Sequence, residues 1–341
     1  MKKPFGVRSD GQQAYLYTIR GGGLTAEISD HGATLVRLFV PDRQGNVEDV
    51  VLGFDSPDEY TQSTTYFGCT VGRSCNRIGG ARFLLNGKEI RVDANDNGVN
   101  NLHGGFDAFK NRLWEVTEHT ENALTLFLLS PHGDHGMPGN VRIHVTYSLE
   151  PQGNLRISYR AVSDQDTVIN LTNHSFFNLA GHRFPEKAMD QILSMPARHF
   201  TVVDELSIPT GELRSVEGTP FDFREPKAIG RDLGTLTPEM AAQGGYDHNF
   251  EAYCNPCVTL KDEESGRVMC IYTDRPGIQF YGGNYLCGDH GKDGVTYCFR
   301  GGIALETQCY PDSVNHPEWV QPFVKAGEVW RSETTYRFTC E

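Results

Sequence analysis

The chain has 341 residues and a formal charge of −13, with 22% charged and 11% aromatic side chains. This is a globular composition, long enough for one large β domain or two ordinary ones with a sizeable core. A negative chain without a basic run argues against nucleic acid or an anionic membrane as partner, and leaves a neutral small molecule open.

Its 9 cysteines are odd in number and scattered. They do not resemble a disulfide framework, so a reducing compartment, the cytoplasm, is expected. Two lysines near the start are followed by no apolar run, so no secretory signal is expected, and no stretch approaches the roughly 18 apolar residues of a membrane span.

In chain order, residues 58–62 offer one turn of helix. Arg82 to Val92 reads as a hairpin. Phe83 and Leu85 alternate on one arm, Ile90 and Val92 on the other, around Asn86-Gly87, the pair that a type I′ turn favours. Residues 123–129 form a candidate strand. A second hairpin ascends through Val141, Ile143, Val145, Tyr147 and Leu149, turns at 151–154, and returns through Leu155, Ile157 and Tyr159. Ile169, Leu171 and Thr172 predict extended backbone. Thr237 and Pro238 have the cap and first-turn chemistry of a short helix. Further strands are predicted at 258–260, 268–272, 278–281 and 334–339. No βαβ alternation occurs, so many short antiparallel strands predict an all-β sandwich or barrel. No linker or fixed-period repeat divides the chain, and one domain over 1–341 is expected.

Polar groups gather where a plain β protein would have none. They lie in Gly72-Arg-Ser-Cys-Asn-Arg-Ile78, Leu102-His-Gly-Gly105, Asn173-His-Ser175, Asp247-His-Asn249, Gln279-Phe-Tyr281 and Leu305-Glu-Thr-Gln308. Glu306 sits in a strand-like run where a charge is costly to bury unless paired or used. Each has a plainer reading. Glu306 could face solvent, His174 and His103 could be hydrogen-bonded structural histidines, Arg77 a surface ion-pair partner, Asp247 a turn residue, and Gln279 an ordinary strand polar. Cys254-Asn-Pro-Cys257 has metal or redox spacing but lacks a second pair and a βαβ context. His132 and His135 lie in a Pro/Gly loop that sets no ligand geometry. Phosphate-cradling glycine motifs and a nucleophile elbow are missing.

Taken in order over residues 12–339, these segments resemble the aldose 1-epimerase (galactose mutarotase) family. The likeness also includes Ser130-Pro to Pro138-Gly139, Ile208-Pro-Thr-Gly-Glu-Leu213 and Pro220-Phe-Asp-Phe223. It implies a large antiparallel twisted β-sandwich, a supersandwich, with an open sugar cleft. His174 matches the family's catalytic acid and Glu306 its catalytic base. Asn76, Arg77, His103, Asp247 and Gln279 match positions that bind sugar hydroxyls, with His103 near the ring oxygen. The implied substrate is a free aldose such as galactose or glucose. No cofactor or metal is expected, and the chain is a monomer or homodimer. The segment 182–191 departs from the family pattern, and is expected to line the cleft or an interface.

The chemistry fits these residue types. Interconverting anomers requires a proton removed from the C1 hydroxyl and one delivered to the ring oxygen. A carboxylate suits the first and an imidazolium the second, each contributing on the order of 10²–10⁴-fold. Glu306 is therefore expected ionised, with help from Arg77 if the fold brings them together, and His174 protonated. Phe176 or Tyr281 could stack on the sugar. Three alternatives remain. A hexose-phosphate epimerase would draw on Arg73, Arg77 and Arg82. A glycoside hydrolase would use Asp247 and Glu306. The third is a silent sugar-binding module.

Overall fold

The computed structural model describes residues 1–235 and 237–341. Nearly every strand pairing is antiparallel. A nine-stranded sheet runs, in spatial order, through Glu115–His119, Ala123–Ser130, Val141–Glu150, Asn154–Ser163, Val329–Cys340, Arg267–Thr273, Val258–Lys261, Ile192–Ser194 and Lys227–Ala228. A six-stranded sheet runs through Phe176–Phe177, Ile303–Gln308, Gly277–Tyr281, Asp247–Glu251, His199–Val203 and Pro209–Ser215. The N-terminal segment folds into five strands between Lys2 and Asp49. One apolar cluster draws on all three sheets, with Ile28 and Leu38, Val145 and Ile157, and Ile278 and Leu305 among its members. Burial of this apolar surface is the dominant favourable term in folding.

The predicted strands are present. Val141–Glu150 and Asn154–Ser163 pair along ten residues, and their buried positions alternate as a half-solvated sheet requires. The hairpin Arg82–Leu85 and Lys88–Arg91 turns at Asn86 and Gly87, both with positive φ (51° and 77°). The short helix Pro238–Ala242 is capped by Thr237, whose hydroxyl accepts from the Met240 N–H at 3.4 Å.

The stretch from Ile169 to Thr172 corrects the sequence reading. It is no continuous strand: Thr172–Asn173 and Phe176–Phe177 are separate two-residue strands, with His174 and Ser175 between them. Thr172–Asn173 pairs with Thr70–Val71, while Phe176–Phe177 joins Ile303–Gln308 in the six-stranded sheet. The chain changes partners at His174, so its side chain stands at a junction between sheets. The 182–191 segment also departs from expectation. None of its residues lines the cleft, and His182 is buried beside the Tyr297 hydroxyl (3.1 Å) and Asp293 (3.3 Å).

Candidate active site

Strand periodicity builds one wall of the site. Side chains alternate faces along a strand. In Asp247–Glu251, Gly277–Tyr281 and Ile303–Gln308, the residues His248, Phe250, Ile278, Phe280, Ile303 and Leu305 are buried on the core side. The alternate positions therefore face the other way. Cross-strand register places Asp247 opposite Tyr281, and Gln279 directly opposite Glu306. Three polar residues far apart in sequence thus share one sheet face.

Loops supply the opposite wall. Asn76 and His103 both adopt left-handed backbone (φ 57° and 52°). Their main chains are joined by His103 N–H to the Asn76 carbonyl at 3.1 Å, and Asn76 N–H donates to His103 Nδ1 at 3.2 Å. The neighbouring Gly104, at φ 93°, lies so close to Gly72 that a Cβ would sit 2.0 Å from the Gly72 carbonyl oxygen. Only glycine fits there. The Asn76 contact fixes the tautomer of His103: Nδ1 accepts, so Nε2 bears the proton and acts as a donor.

The amide and hydroxyl around His174 hold it in place. Asn173 Oδ1 accepts from both the Ser175 N–H (3.1 Å) and its hydroxyl (2.6 Å), while Asn173 Nδ2 donates to the Gly68 carbonyl at 2.8 Å. The His174 imidazole lies between two rings, Phe176 at 5.3 Å and Tyr66 at 5.9 Å, both nearly parallel to it. Phe176 is only 1% exposed. It stacks against the histidine and, with Tyr281, lines the cleft.

A cleft of about 830 Å³, mouth included, is lined by Asn76, Arg77, His103, His174, Asp247 and Glu306, with Tyr66, Phe176, Tyr281 and Tyr285 among the aromatic residues. The part of it that a water molecule can reach is about 250 Å³, just below the usual range of small-molecule sites. Six of the seven residues singled out from the sequence therefore meet in one cavity. Gln279 does not line it. Its Nε2 donates to Asp247 Oδ1 at 2.6 Å, so it stands behind the aspartate and orients it. Tyr66 was missed by sequence reasoning, because nothing in Thr65-Tyr-Phe-Gly68 marks it. Its positive φ of 58° is the structural sign of an unusual position.

His174 Nε2 lies 3.5 Å from Glu306 Oε1, and both residues are buried. His174 Nδ1 and Glu306 Oε2 have no hydrogen-bond partner in the protein. Both atoms are closed off from solvent, so Nε2 and Oε1, which face each other across the pair, are the atoms left for a ligand. Burial pushes the Glu306 carboxyl well above the usual range. The negative charge of Asp247 pushes the same way, and Arg77 opposes it. Burial also lowers His174 to about 4. This changes the expectation of an ionised Glu306 and a protonated His174. Burial favours the neutral form of each, so the pair holds one proton between them. Arg77 is close enough to act on Glu306, as expected, but burial outweighs it.

His103, His174 and Glu306 bring three ligand-type atoms within 4.8 Å of one another. The Asn76 contact leaves His103 with a protonated Nε2, which suits a hydrogen-bond donor and not a metal ligand. Both histidines of the 132–135 loop are otherwise engaged. His135 is held by Asp93, His132 Nδ1 accepts from the Gly139 N–H at 3.0 Å, and Cys254 and Cys257 are free thiols.

Of the arginines considered for a phosphate, Arg73 is buried and donates to the carbonyls of Ser130, Pro131 and Pro138. Arg82 lies on the exposed hairpin beside Glu89. Among the described residues that line the cleft, Arg77 is the single arginine or lysine. No helix among the described residues is long and apolar enough to cross a membrane.

Comparison with known proteins agrees with this geometry. The Aldose 1-epimerase family pattern matches residues 15–337. The chain is 41% identical to a galactose mutarotase of Mus musculus over 97% of its length and 96% of that protein's. It is 35% identical to an aldose 1-epimerase of Escherichia coli, with 97% of each chain covered. Among solved structures, an aldose epimerase homologue from C. elegans superposes with a TM-score of 0.88 at 30% identity, over 96% of this chain and 99% of that one. A galactose 1-epimerase from Lactobacillus acidophilus superposes with a TM-score of 0.86 at 26% identity, over 100% and 99%. An all-β chain with this cleft, matched along nearly its whole length, belongs to the aldose 1-epimerase family.

Proposed function

We propose that this enzyme interconverts the α and β anomers of free aldoses, with Glu306 and His174 as its proton-transfer pair. The observation that carries the assignment is their 3.5 Å approach on the cleft wall. The C1 hydroxyl and the ring oxygen of a cyclic aldose are bonded to the same carbon. A base for one and an acid for the other must therefore stand close together, as these two do.

Ring opening proceeds from the state in which the pair's one proton has passed from Glu306 to His174, so that Glu306, now a carboxylate, takes the C1 hydroxyl proton. The O–H bond pair becomes the second bond of the C1 carbonyl as the C1–ring oxygen pair leaves with the ring oxygen, and His174, as imidazolium, protonates that oxygen. The pair's single proton is then on Glu306. Rotation about C1–C2 exposes the other carbonyl face, and the reverse transfers close the ring as the second anomer. No net proton is consumed. His103, fixed as an Nε2–H donor by Asn76, is suited to the ring oxygen or a neighbouring hydroxyl. Asn76, Arg77 and Asp247 are suited to the remaining hydroxyls, with Gln279 orienting Asp247.

The test is polarimetry on freshly dissolved α-galactose and α-glucose at near-neutral pH. A faster approach to an unchanged final rotation supports the reading, and the ratio of the two rates measures preference. No acceleration by folded protein would refute it. Hexose 6-phosphate should compete poorly, because Arg73 and Arg82 are unavailable to hold a phosphate.

A further inference from the structure

Arg77 reaches the cleft from the two-residue strand Arg77–Ile78, paired with Asn101–Leu102. Its Nε–H donates to Asp96 Oδ2 at 3.0 Å, and the two side chains are 19% and 13% exposed. The other carboxylate oxygen accepts from Asn97 Nδ2 at 3.1 Å. The Asp96 main chain is closed onto Asn100 by two hydrogen bonds, at 2.9 and 3.0 Å. This turn leads directly into Asn101–Leu102 and then His103. One carboxylate thus ties the arginine of the cleft to the turn that carries one of its histidines. Asp96 itself does not line the cleft.

Two physical consequences follow. A guanidinium has donors at Nε and at both Nη atoms. Asp96 engages Nε, and among the described residues no other acceptor meets the Arg77 guanidinium, so both Nη groups remain for hydroxyl oxygens. The second consequence is electrostatic. Around Glu306 stand His103, His174, Asp247 and Arg77, with the thiols of Cys69 and Cys75 and the phenol of Tyr336, and burial favours the neutral form of both imidazoles. Burial raises those thiols and that phenol, which keeps them neutral. Arg77 is therefore the permanent cation of this group. Without a counter-ion it would bind Glu306 or Asp247 as a fixed ion pair, and a carboxylate held that way is a weaker base.

We propose that Asp96 is a positioning residue for this site. It aims the Nη groups of Arg77 at the substrate's hydroxyls and offsets the guanidinium charge, so that Glu306 stays free to accept a proton. The inference rests on the reading of Glu306 as the base.

Three variants separate the effects. Asp96→Asn keeps an oxygen for Arg77 Nε and removes the charge, Asp96→Ala removes both, and Asp96→Glu restores the charge. The first readout needs no turnover: the ¹³C carboxyl titration of Glu306, assigned by its loss in Glu306→Gln. In Asp96→Asn it should shift to lower pH by about half a unit or more. The second readout is polarimetric kcat and KM against pH. The acid limb of kcat/KM should shift with the titration, and plateau kcat should fall about tenfold through the weakened base. Asp96→Ala should also raise KM, and Asp96→Glu should recover most of both.

A Glu306 titration and pH profile unchanged in Asp96→Asn would overturn the proposal. So would a loss of kcat equal at every pH, tracking a lowered Tm and not recovered by Asp96→Glu, since Asp96 would then only brace the turn. Should the unaltered protein fail to speed mutarotation while the Glu306 titration still moves as stated, the mutarotase reading falls and the role of Asp96 toward Glu306 stands.

Discussion

Two buried ionisable clusters sit in this molecule, and they differ in one respect. In the first, Lys292 is fully buried and lies 2.6 Å from Asp49, while Arg37 lies 2.8 Å from Asp293 and 2.9 Å from Asp55. His182 approaches Asp293 at 3.3 Å. Each charge there has an opposite charge in contact, and the Lys292 ammonium also donates to the Val36 carbonyl at 2.5 Å, although Asp49 Oδ2 and His182 Nε2 lack a well-directed hydrogen bond. In the second, the cleft, Glu306 and His174 stand 3.5 Å apart with Oε2 and Nδ1 unpartnered. The first cluster locks the N-terminal sheet to the chain beyond it. The residues of the second line a cavity, and those of the first do not. Burial of charge and unsatisfied buried atoms are common to both, so neither marks function here. Position on a cavity wall does.

The comparison can be broken most sharply at Glu306. Glu306→Gln should lower kcat by about 10³-fold, within the range of a lost general base, with sugar binding largely kept. His174→Asn should behave alike, and polarimetry with an equilibrium binding measurement checks both. Near-native turnover in either variant would remove that residue from the chemistry. Because the Glu306 carboxyl is raised in the folded protein, its stabilising effect is present at low pH and is lost as pH rises through the folded value. Glu306→Gln should therefore raise Tm at pH 8 while activity falls.

The structural cluster should respond in the opposite way. Lys292→Ala leaves buried Asp49 with only Arg37, 3.6 Å away, as counter-charge, at a cost of up to about 3–5 kcal/mol in stability. Urea denaturation measures the loss. The fraction that remains folded should keep the native KM and pH profile. A changed acid limb in this variant would mean that the two clusters are coupled.

Buried histidines sharpen the contrast through pH. Burial lowers His248 to about 3, and its ring packs against Phe221 at 4.6 Å. An unfolded histidine takes up its proton near about 6.5. Between the two values the unfolded chain binds more protons, so the stability from His248 is complete above about pH 6.5 and declines as the pH falls. At pH 5 the decline is on the order of 2 kcal/mol, at about 1.36 kcal/mol per unit. His248→Phe should flatten the difference in urea midpoint between pH 8 and pH 5 by about that amount. An unchanged difference would show that His248 already titrates in the native state.

The smallest effect belongs to the exposed hairpin. Arg82 is 3.8 Å from Glu89, with both side chains largely in solvent. Arg82→Ala should change stability by less than about 1 kcal/mol and leave mutarotation untouched. A loss of activity would reopen the phosphate reading.

Much of the fold was legible because local rules governed it. Asn86-Gly87 specified its turn through positive φ, and the Val141 to Tyr159 alternation specified a long antiparallel pair. The segment around His174 was misread as one strand because its exchange of partners depends on residues 70–71 and 303–304, which no local pattern records. Phe176 looked like a sugar platform. It lines the cleft and also stacks against His174, a contact that depends on packing alone.

By itself the sequence determined that the chain is β-rich, where its clearest turns fall, and which polar residues break an otherwise plain pattern. Period-two alternation and turn chemistry act within a few residues, so they can be read from the string. Only the tertiary structure decided that Asp247, Gln279 and Glu306 share a sheet face, that Gln279 stands behind the cleft, and that burial outweighs Arg77 at Glu306. Register between distant strands sets the first two. The third depends on how much water the folded chain removes from around a carboxyl group, which sequence spacing does not encode.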